Sequence, residues 1–290
     1  MTKALLRTLA ALMMLVLLPL HAAAAPVALP VDDSPGLPPV EAGYLGEWEY
    51  KDPSIHVVIE KGREYNTDYW VARITIADPS QLRTAAAGGF DSQRTVSAMA
   101  IAKRMQAVLA INGDYFSYIN DGHLVRQGTV YRQIPRGARD VLVIDQHGDF
   151  HIVRTATVKK IQALEEQGVQ IVNSFNFGPA LVNEGKRVGN FLDNDRMAYL
   201  HRQRMAIGQV KKGSLEYICV ATAGPKSGNI GMDITQLGRL MVNLGVETAY
   251  NLDGGNSTSM MFRDAYVNSD FEETMRPISD IIYFASAAGQ

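Results

Sequence analysis

Residues 233–259, DITQLGRLMVNLGVETAYNLDGGNSTS, contain the pattern that decides the fold. Residues 234–244 place apolar side chains at helical spacing, and Asp233 with Gln236 three positions later forms a capping box that starts a helix. Residues 246–252 then have the composition of a buried strand. The pattern predicts a helix packed on a sheet, followed by a strand that ends in a polar, glycine-rich loop.

Strands and helices alternate irregularly on either side of this stretch. We predict strands at residues 55–60, 69–77, 108–112 and 215–222, a hairpin formed by 141–145 and 150–153, and helices at 95–108 and 158–167. The fold class that follows is α+β, with a mixed β-sheet core and a few packed helices. A single domain is expected to cover residues 47–290.

The first 46 residues differ from the rest. Lys3 and Arg7 precede an apolar run at residues 10–20, and small residues follow up to Ala25. This order is typical of a cleaved signal peptide, and the run is shorter than the roughly 20 residues of a spanning helix. We therefore expect a secreted or periplasmic protein without a stable membrane anchor. Five prolines in residues 26–46 predict an extended linker.

Composition limits the function further. The chain has 290 residues, of which 47% are hydrophobic and 20% charged, so it can bury a core without a metal or disulfides. Its formal net charge of −2 becomes −4 when residues 1–25 are removed, because 26 basic residues then face 30 acidic ones. A general basic surface for nucleic acid is therefore excluded, and anion binding must be local. The single cysteine, Cys219, cannot form an internal disulfide.

The loop at residues 251–259 is the most unusual segment. Asp253 is followed by Gly254 and Gly255, which permit left-handed backbone angles and close approach to a ligand. Consecutive N–H groups in such a loop can form a nest for an anion. From the residues alone, a tight turn stabilised by the Asp253 side chain is an equally good interpretation. The loop lacks the Lys-Ser/Thr ending of a P-loop and the spacing of a nucleophile elbow.

The same loop resembles the Asn-Leu-Asp-Gly-Gly-x-Ser signature of the phosphodiester glycosidase family. Four other segments resemble motifs of that family in the same order, namely INGDYF at 111–116, GPALV at 178–182, RMAIG at 204–208 and RPISD at 276–280. The likeness covers roughly residues 54–286. Two departures are Asp114, in place of a glycine usual in the family, and Asn256, at a third-glycine position.

The resemblance implies a hydrolase that cleaves the glycosyl–phosphate bond of a sugar-1-phosphodiester, in cell-envelope or exopolysaccharide metabolism. Its partner would be a glycan or sugar-phosphate substrate, and no cofactor is implied. Such a reaction needs cationic or N–H groups to hold the phosphate and a carboxylate at the anomeric centre.

Candidate residues follow from these needs. Asp253 is the first choice for the carboxylate, as base or nucleophile, with Asp114 and Asp280 as rivals. Arg204 and Arg276 are expected to clamp the phosphate, because a guanidinium can bind two oxygens at once. The other expected substrate-binding residues are Asn112, Gly113, Asn251, Gly254, Gly255, Asn256 and Ser257.

Several alternatives stay open at this point. The protein could be a non-catalytic polysaccharide-binding or structural envelope protein that uses the same loop, or a hydrolase with Ser257 as its nucleophile. No metal site is predicted, because the histidines are scattered; residues 193–195 could hold a cation but have the composition of a solvated loop. Tyr115, Phe116 and Tyr118 could form a platform for a sugar ring or pack in the core.

Overall fold

The computed structural model describes residues 26–189 and 199–288, so the predicted signal peptide and residues 193–195 lie outside the described residues. In those two ranges no helix is long and apolar enough to cross a bilayer. The strands are β1 Glu49–Lys51, β2 Ile55–Glu64, β3 Thr67–Ile76, β4 Leu82–Ala86, β5 Ala107–Asn112, β6 Gly122–Arg126, β7 Thr129–Ile134, β8 Val141–Asp145, β9 Phe150–Val153, β10 Ile171–Phe175, β11 Ala180–Asn183, β12 Lys186–Arg187, β13 Met205–Gln209, β14 Glu216–Thr222, β15 Thr248–Asn251, β16 Met260–Phe262, β17 Ala265–Tyr266 and β18 Asp280–Ala285. The helices are α1 Ala98–Arg104, α2 Val158–Glu165 and α3 Ile234–Asn243.

Two sheets pack face to face and enclose the main core. One has the strand order β1-β2-β3-β14-β13-β15-β11-β12, and the other has the order β17-β16-β5-β18-β4. Tyr217 and Cys219 on β14 point into the space between the sheets, whereas Ile218 and Val220 point to the outer face. Both faces of β14 are buried, which explains its nearly continuous apolar sequence. The predicted α+β fold with a single domain is confirmed.

Helices cover the outer faces of the two sheets. α3 packs on the eight-stranded sheet through Leu237, Leu240 and Met241, and α1 packs on the five-stranded sheet through Ile101. Burying one leucine side chain of this kind stabilises the fold by about 1.5–3 kcal/mol. A smaller three-stranded sheet with the order β10-β8-β9 carries α2, and β6 pairs with β7 as a separate hairpin.

The prediction for α3 is confirmed at its start. The Asp233 side chain accepts a hydrogen bond from the Gln236 backbone N–H, and the Gln236 side chain accepts one from the Asp233 N–H. α1 is shorter than predicted. It begins after Ser97, which caps it, and ends at Arg104, because the chain turns through Gln106 with φ of 54° before β5.

Residues 26–46 differ from the predicted linker, because they pack on the domain. Leu29 is buried, and an isolated bridge pairs Pro26 with Ala288 near the end of the chain. The guanidinium of the fully buried Arg83 donates hydrogen bonds to carbonyl oxygens of this segment, those of Pro30, Asp32 and Ser34. The prolines favour an extended backbone, as predicted, but the contacts with Arg83 are long-range and leave no local pattern.

Candidate active site

The two main sheets meet at the ends of their central strands. Asn112 ends β5 and Asn251 ends β15, while Asp280 begins β18. The Nδ2 of Asn112 donates to the Asp253 carbonyl at 2.8 Å, and the Asp253 N–H donates to the Gly113 carbonyl at 3.3 Å. These bonds tie the loop after β5 to the loop after β15, so most of the residues expected at the site share one end of the molecule.

Asp253, in the loop after β15, forms an ion pair with Arg276, in the segment before β18. The Nη2 of Arg276 lies 2.8 Å from Asp253 Oδ2, and the Arg276 Nε donates to Ser257 Oγ at 2.6 Å. The Arg276 side chain is 44% exposed and that of Asp253 is 9% exposed. Among the described residues, no hydrogen-bond partner is found for the Nη1 of Arg276. This guanidinium therefore keeps donors that face solvent and can hold an anion.

Aromatic rings extend the site from this ion pair. The Arg276 guanidinium lies over the Tyr115 ring, 4.9 Å from its centroid. Tyr118 stacks on Tyr115 with a centroid distance of 4.2 Å and an interplanar angle of 13°, and Tyr118 is 56% exposed. Phe116, in contrast, is buried against Phe90. Of the three aromatic residues considered for a sugar platform, Phe116 belongs to the core and Tyr118 presents an open ring.

The glycine loop is more closed than the sequence suggested. The Gly254 N–H donates to the Asp253 carboxylate at 2.8 Å, and the Gly255 N–H donates to the Gln203 carbonyl at 2.9 Å. A Cβ on Gly254 would lie 2.8 Å from that same carbonyl oxygen, and Gly255 has a φ of 58°. Gly254 is required because the loop lies against the chain before β13, and Gly255 is favoured because its φ lies in the left-handed region. Their N–H groups are used within the protein, so the expected anion nest at Gly254 and Gly255 is not formed.

Asn112 and Asn251, at the ends of their strands, differ in whether their side-chain atoms are left without a hydrogen-bond partner. Asn112 uses its amide to fix backbone, since its Oδ1 also accepts from the Ser259 N–H at 3.1 Å. Asn251 donates from Nδ2 to the Gly178 carbonyl at 2.7 Å, whereas its Oδ1 has no partner among the described residues although it is buried. An unpaired buried acceptor costs about 1–3 kcal/mol, so this oxygen is a candidate for a substrate hydroxyl or a water. Asn256 is exposed, and its carbonyl accepts from the Arg276 N–H.

Asp114 and Asp280 belong to a second, enclosed group. The Nη2 of Arg126 lies 2.7 Å from Asp114 Oδ1 and 3.3 Å from Asp280 Oδ2. All three side chains are at most 1% exposed. The Asp280 carboxyl also lies against the backbone of Gly113, where a Cβ would lie 2.2 Å from its Oδ2. Gly113 is therefore required by close approach to Asp280.

Burial and the neighbouring carboxylate of Asp114 both raise the pKa of Asp280. Burial raises the pKa of Asp280 to about 7, the negative charge of Asp114 adds to the effect, and Arg126 opposes it. Two carboxylates that share one guanidinium in a dry site retain a net negative charge when both are ionised. A proton held by the pair at neutral pH relieves that charge.

Arg204 has a different environment from Arg276. Its Nε donates to the Met232 carbonyl at 3.0 Å and its Nη2 to the Leu200 carbonyl at 2.7 Å. In the described part of the chain, no hydrogen bond or ion pair joins Arg204 to Asp253. Arg276 therefore contacts the carboxylate directly, whereas Arg204, whose backbone lies beside Gly254, donates to main-chain carbonyls. The contacts of Arg204 with main-chain carbonyls hold the segments that flank β13.

Two further alternatives can be compared with the geometry. Ser257 Oγ accepts from Arg276, and within residues 26–189 and 199–288 no histidine contacts it, so the groups that would activate a serine nucleophile are not in place. In the same ranges no group of three or more His, Cys, Asp or Glu side chains is arranged to hold a metal ion.

Sequence reasoning missed Arg126 and Asn176, which organise the site from other elements. The Asn176 N–H donates to Asp114 Oδ2 at 2.7 Å, and its side-chain Oδ1 accepts from the His123 N–H. His123 is itself buried, burial lowers its pKa to about 4, and its Nε2 has no partner among the described residues. These residues lie on β6 and just after β10, which were not predicted, and neither Arg126 nor Asn176 belongs to one of the five motifs, although Asn176 lies two residues before GPALV.

Three solved structures share the fold of this chain. The chain is 17% identical to the catalytic domain of zebrafish N-acetylglucosamine-1-phosphodiester alpha-N-acetylglucosaminidase, auto-inhibited by its pro-peptide, with a TM-score of 0.64 over 81% of this chain and 85% of that one. A hypothetical protein from Synechocystis matches at 16% identity and a TM-score of 0.60, over 79% of this chain and 62% of that one. A candidate exported protein from Burkholderia pseudomallei matches at 14% identity and a TM-score of 0.51, over 77% and 75%. At these identities the likeness shows the fold.

The family comes from the sequence itself. No curated protein matches this chain. The sequence profile described as Phosphodiester glycosidase matches residues 105–285, which is more than half of the chain and includes β5, the loop after β15 and β18. The chain therefore belongs to the phosphodiester glycosidase family.

Proposed function

We propose that this protein is an exported hydrolase that cleaves the bond between the anomeric carbon of a sugar and the phosphate of a sugar-1-phosphodiester. The observation that carries the proposal is the ion pair of Asp253 and Arg276, which joins a carboxylate to a half-exposed guanidinium beside an open aromatic ring. Membership of the phosphodiester glycosidase family supports the reaction class.

Asp253 is the carboxylate that the geometry favours for the reaction. Its rivals, Asp114 and Asp280, are enclosed and share Arg126, so neither can approach a substrate without disrupting a buried ion pair. Asp253 instead lies in the loop that carries Ser257, and it contacts Arg276 from the segment before β18.

The phosphate would bind at Arg276. Two of the five N–H donors of this guanidinium point to Ser257 and Asp253, so the remaining donors can meet phosphate oxygens. On the sugar side, Tyr118 offers an exposed ring face, and the unpartnered Asn251 Oδ1 offers an acceptor for a hydroxyl. Tyr115 lies between Tyr118 and Arg276, so the two stacked rings extend the site away from the guanidinium.

The reaction needs little acid assistance, since a phosphate monoester leaves as a stable anion. The anomeric C–O bond breaks, the phosphate takes the bonding electrons, and Arg276 stabilises the added charge. Water then adds to the anomeric carbon. Asp253 either removes the proton from this water or first forms a covalent glycosyl ester that water hydrolyses.

Export forms the second part of the proposal. Residues 1–25 carry the signal-peptide pattern, and the described domain begins at Pro26 with residues that pack against the end of the chain. We expect cleavage after Ala25, leaving the protein in the periplasm or outside the cell, where a sugar-phosphate diester of the envelope or of an exopolysaccharide would be its substrate. N-terminal sequencing of the protein recovered from the envelope or medium tests this and should begin at Pro26.

The test of the chemistry is the turnover of Asp253→Asn on a panel of sugar-1-phosphodiesters. We expect kcat to fall by about 10³-fold or more, because the substitution removes the charge at the anomeric centre and keeps the side-chain size. Asp264→Asn is the matched control: this exposed aspartate lies in the next turn and pairs only loosely with Lys103, at 3.7 Å. Its kcat should equal that of the wild type.

The stability of each variant is measured by thermal unfolding alongside its activity. A folded Asp253→Asn protein with the wild-type rate would falsify the assignment of Asp253. Binding of the diesters without release of sugar or phosphate monoester by the wild type would favour the non-catalytic alternative.

A further inference from the structure

We infer that a second anion-binding subsite lies in the cleft between Asn176 and the β7–β8 connection, and that Arg136 and Arg139 bind there a phosphate or carboxylate carried by the substrate beyond the scissile phosphate. The inference rests on the proposed function, because it names the class of leaving group that the same site accepts. That class is an anionic aglycone, such as a phosphorylated polyol or an acidic glycan.

The cleft lies between the loop that leads into β6 and the connection from β7 to β8. It is a shallow cleft that opens to solvent. Its lining residues are Asp121, Gly122, Pro135, Arg136, Ala138, Arg139, Val141, Ala156 and Asn176. Arg136 and Arg139 are both exposed, so their guanidinium groups are accessible from solvent.

The backbone that carries these two arginines is held in place. The Gly137 N–H donates to the Ala156 carbonyl at 2.7 Å, and the Ala156 N–H donates to the Arg139 carbonyl at 2.8 Å. Arg136 also forms an isolated bridge with Thr157. Because these bonds fix residues 136–139, little loop entropy is lost when an anion binds to the two side chains.

The two guanidinium groups lack acidic partners, unlike their neighbours. Arg154 lies close by and is paired with Asp140 at 2.9 Å. In the described ranges neither Arg136 nor Arg139 forms an ion pair, and the Nη1 of Arg139 makes one long hydrogen bond, 3.4 Å, to the Phe177 carbonyl. One carboxylate, that of Asp121, also lines the cleft, so its formal charge is positive.

The positive formal charge of the cleft contrasts with the formal net charge of the whole protein, which is −2. A general attraction for polyanions is therefore not expected, and the two arginines act at one place. Guanidinium groups match the geometry of phosphate and carboxylate oxygens, and a pair of them can hold an anion from two sides.

The cleft adjoins the proposed catalytic site through Asn176 and the segment that follows it. Asn176 lines the cleft and donates its N–H to Asp114, on the loop that also carries Tyr115. Two residues further on, Gly178 accepts the hydrogen bond from Asn251. The segment from Asn176 to Gly178 thus separates the cleft from the asparagine offered to the sugar. A substrate held at Arg276 could extend over it into the cleft.

The experiment compares diesters that share one sugar-1-phosphate and differ in the aglycone: glycerol, glycerol phosphate and glycerate. For the wild type we expect KM to be about tenfold lower with an anionic aglycone than with glycerol, since two charge-assisted contacts contribute about 1.4 kcal/mol together. The double variant R136Q/R139Q should lose this preference while its kcat and its KM for the glycerol diester stay unchanged. The larger of the two anionic preferences identifies phosphate or carboxylate.

The matched control is R73Q/R239Q, which removes two exposed arginines from β3 and α3, outside the cleft. Its preference should equal that of the wild type. The preference should also weaken as salt rises, because both arginines are exposed. An R136Q/R139Q protein that keeps the full preference, or a wild type that prefers the glycerol diester, overturns the inference.

A binding measurement separates this inference from the proposed function. Glycerol phosphate is titrated calorimetrically into proteins that all carry Arg276→Gln, so that the site at Asp253 does not contribute. We expect R136Q/R139Q to bind about tenfold more weakly than the R73Q/R239Q control. If no diester is turned over but this difference is found, the proposed reaction fails and the anion subsite stands; equal binding in the two proteins refutes the subsite.

Discussion

Two groups of aspartate and arginine lie at the same end of the sheets, and they differ mainly in their contact with water. Asp253 and Arg276 form an ion pair in which the arginine is 44% exposed. Asp114, Arg126 and Asp280 form a cluster in which no side chain exceeds 1% exposure. The residue types are the same in both groups, so residue type alone does not indicate which group can react.

The comparison distinguishes the residues that can contact a substrate from those that hold the site in position. The open pair keeps unused donors on its half-exposed arginine, so a phosphate can bind there without displacing Asp253. The closed cluster is costly to disturb, since a buried charge that loses its partner keeps its desolvation penalty. We assign the closed cluster to holding Gly113 and the loop that carries Tyr115, and the open pair to the substrate.

The largest expected effect is on the closed cluster. Arg126→Met should lower the free energy of unfolding by about 3–5 kcal/mol, because two buried carboxylates lose the cation that they share and the Phe175 ring loses a guanidinium 4.3 Å from its centroid. Chemical denaturation at pH 7 measures the loss. A loss below about 1 kcal/mol would show that the cluster does not hold the site together.

The second-largest expected effect is on catalysis, and it concerns Arg276 of the open pair. Arg276→Gln should reduce kcat/KM on the best diester by about 10²-fold, through lost stabilisation of the departing phosphate, while the free energy of unfolding changes by less than about 1 kcal/mol. Steady-state kinetics and denaturation of the same preparations measure both quantities. Arg263→Gln, which removes an exposed guanidinium paired with Glu41, serves as the control. A large stability loss in Arg276→Gln would make the two groups alike.

The smallest of the three effects is a pH dependence of stability. Asp280 has a pKa raised from 3.8 to about 7 in the folded protein, mainly by burial, so the folded state binds a proton that the unfolded state releases. Stability should therefore fall as pH rises from about 4 to 7 and level off above, with a loss of roughly 2 kcal/mol between pH 5.5 and 7.5 from this group. In Asp280→Asn this part of the pH dependence should vanish.

Thermal unfolding of the wild type and Asp280→Asn across pH 5 to 8 measures the difference. Asp114 and Arg126 face the Asp280 carboxyl, and both are retained in the variant, so the comparison isolates the titrating group. Parallel curves for the two proteins would mean that Asp280 is ionised throughout.

Local signals in the sequence predicted the parts of the fold that depend on neighbours in the chain. The capping box at Asp233 and Gln236 specified the start of α3, and the same stretch predicted the strand before Asp253. The β6–β7 hairpin and the packing of residues 26–46 escaped prediction. The partners of residues 26–46 are far away in sequence and leave no local pattern, whereas β6 and β7 are adjacent in sequence and carry no clear strand signal.

The residues of the candidate site also divide into those that the sequence predicted and those that it did not. Asp253, Ser257 and Arg276 were recognisable by motif, and the structure places them in contact. Asp114 and Asp280 were also named, but their enclosure depends on Arg126, which is 154 residues from Asp280 and belongs to no motif. Arg204 carried a motif, yet its guanidinium donates to the carbonyls of Met232 and Leu200. A motif therefore identified important residues without separating substrate contact from support.

The position of β18 has a consequence for biosynthesis. This strand comes late in the chain but lies inside its sheet, paired with β5 on one side and β4 on the other. The five-stranded sheet cannot close until β18 has been made. A polypeptide that is secreted from its amino end would therefore stay incompletely folded until β18 had emerged. The insertion of β18 would deliver Asp280 to Arg126 and couple completion of the fold to assembly of the site.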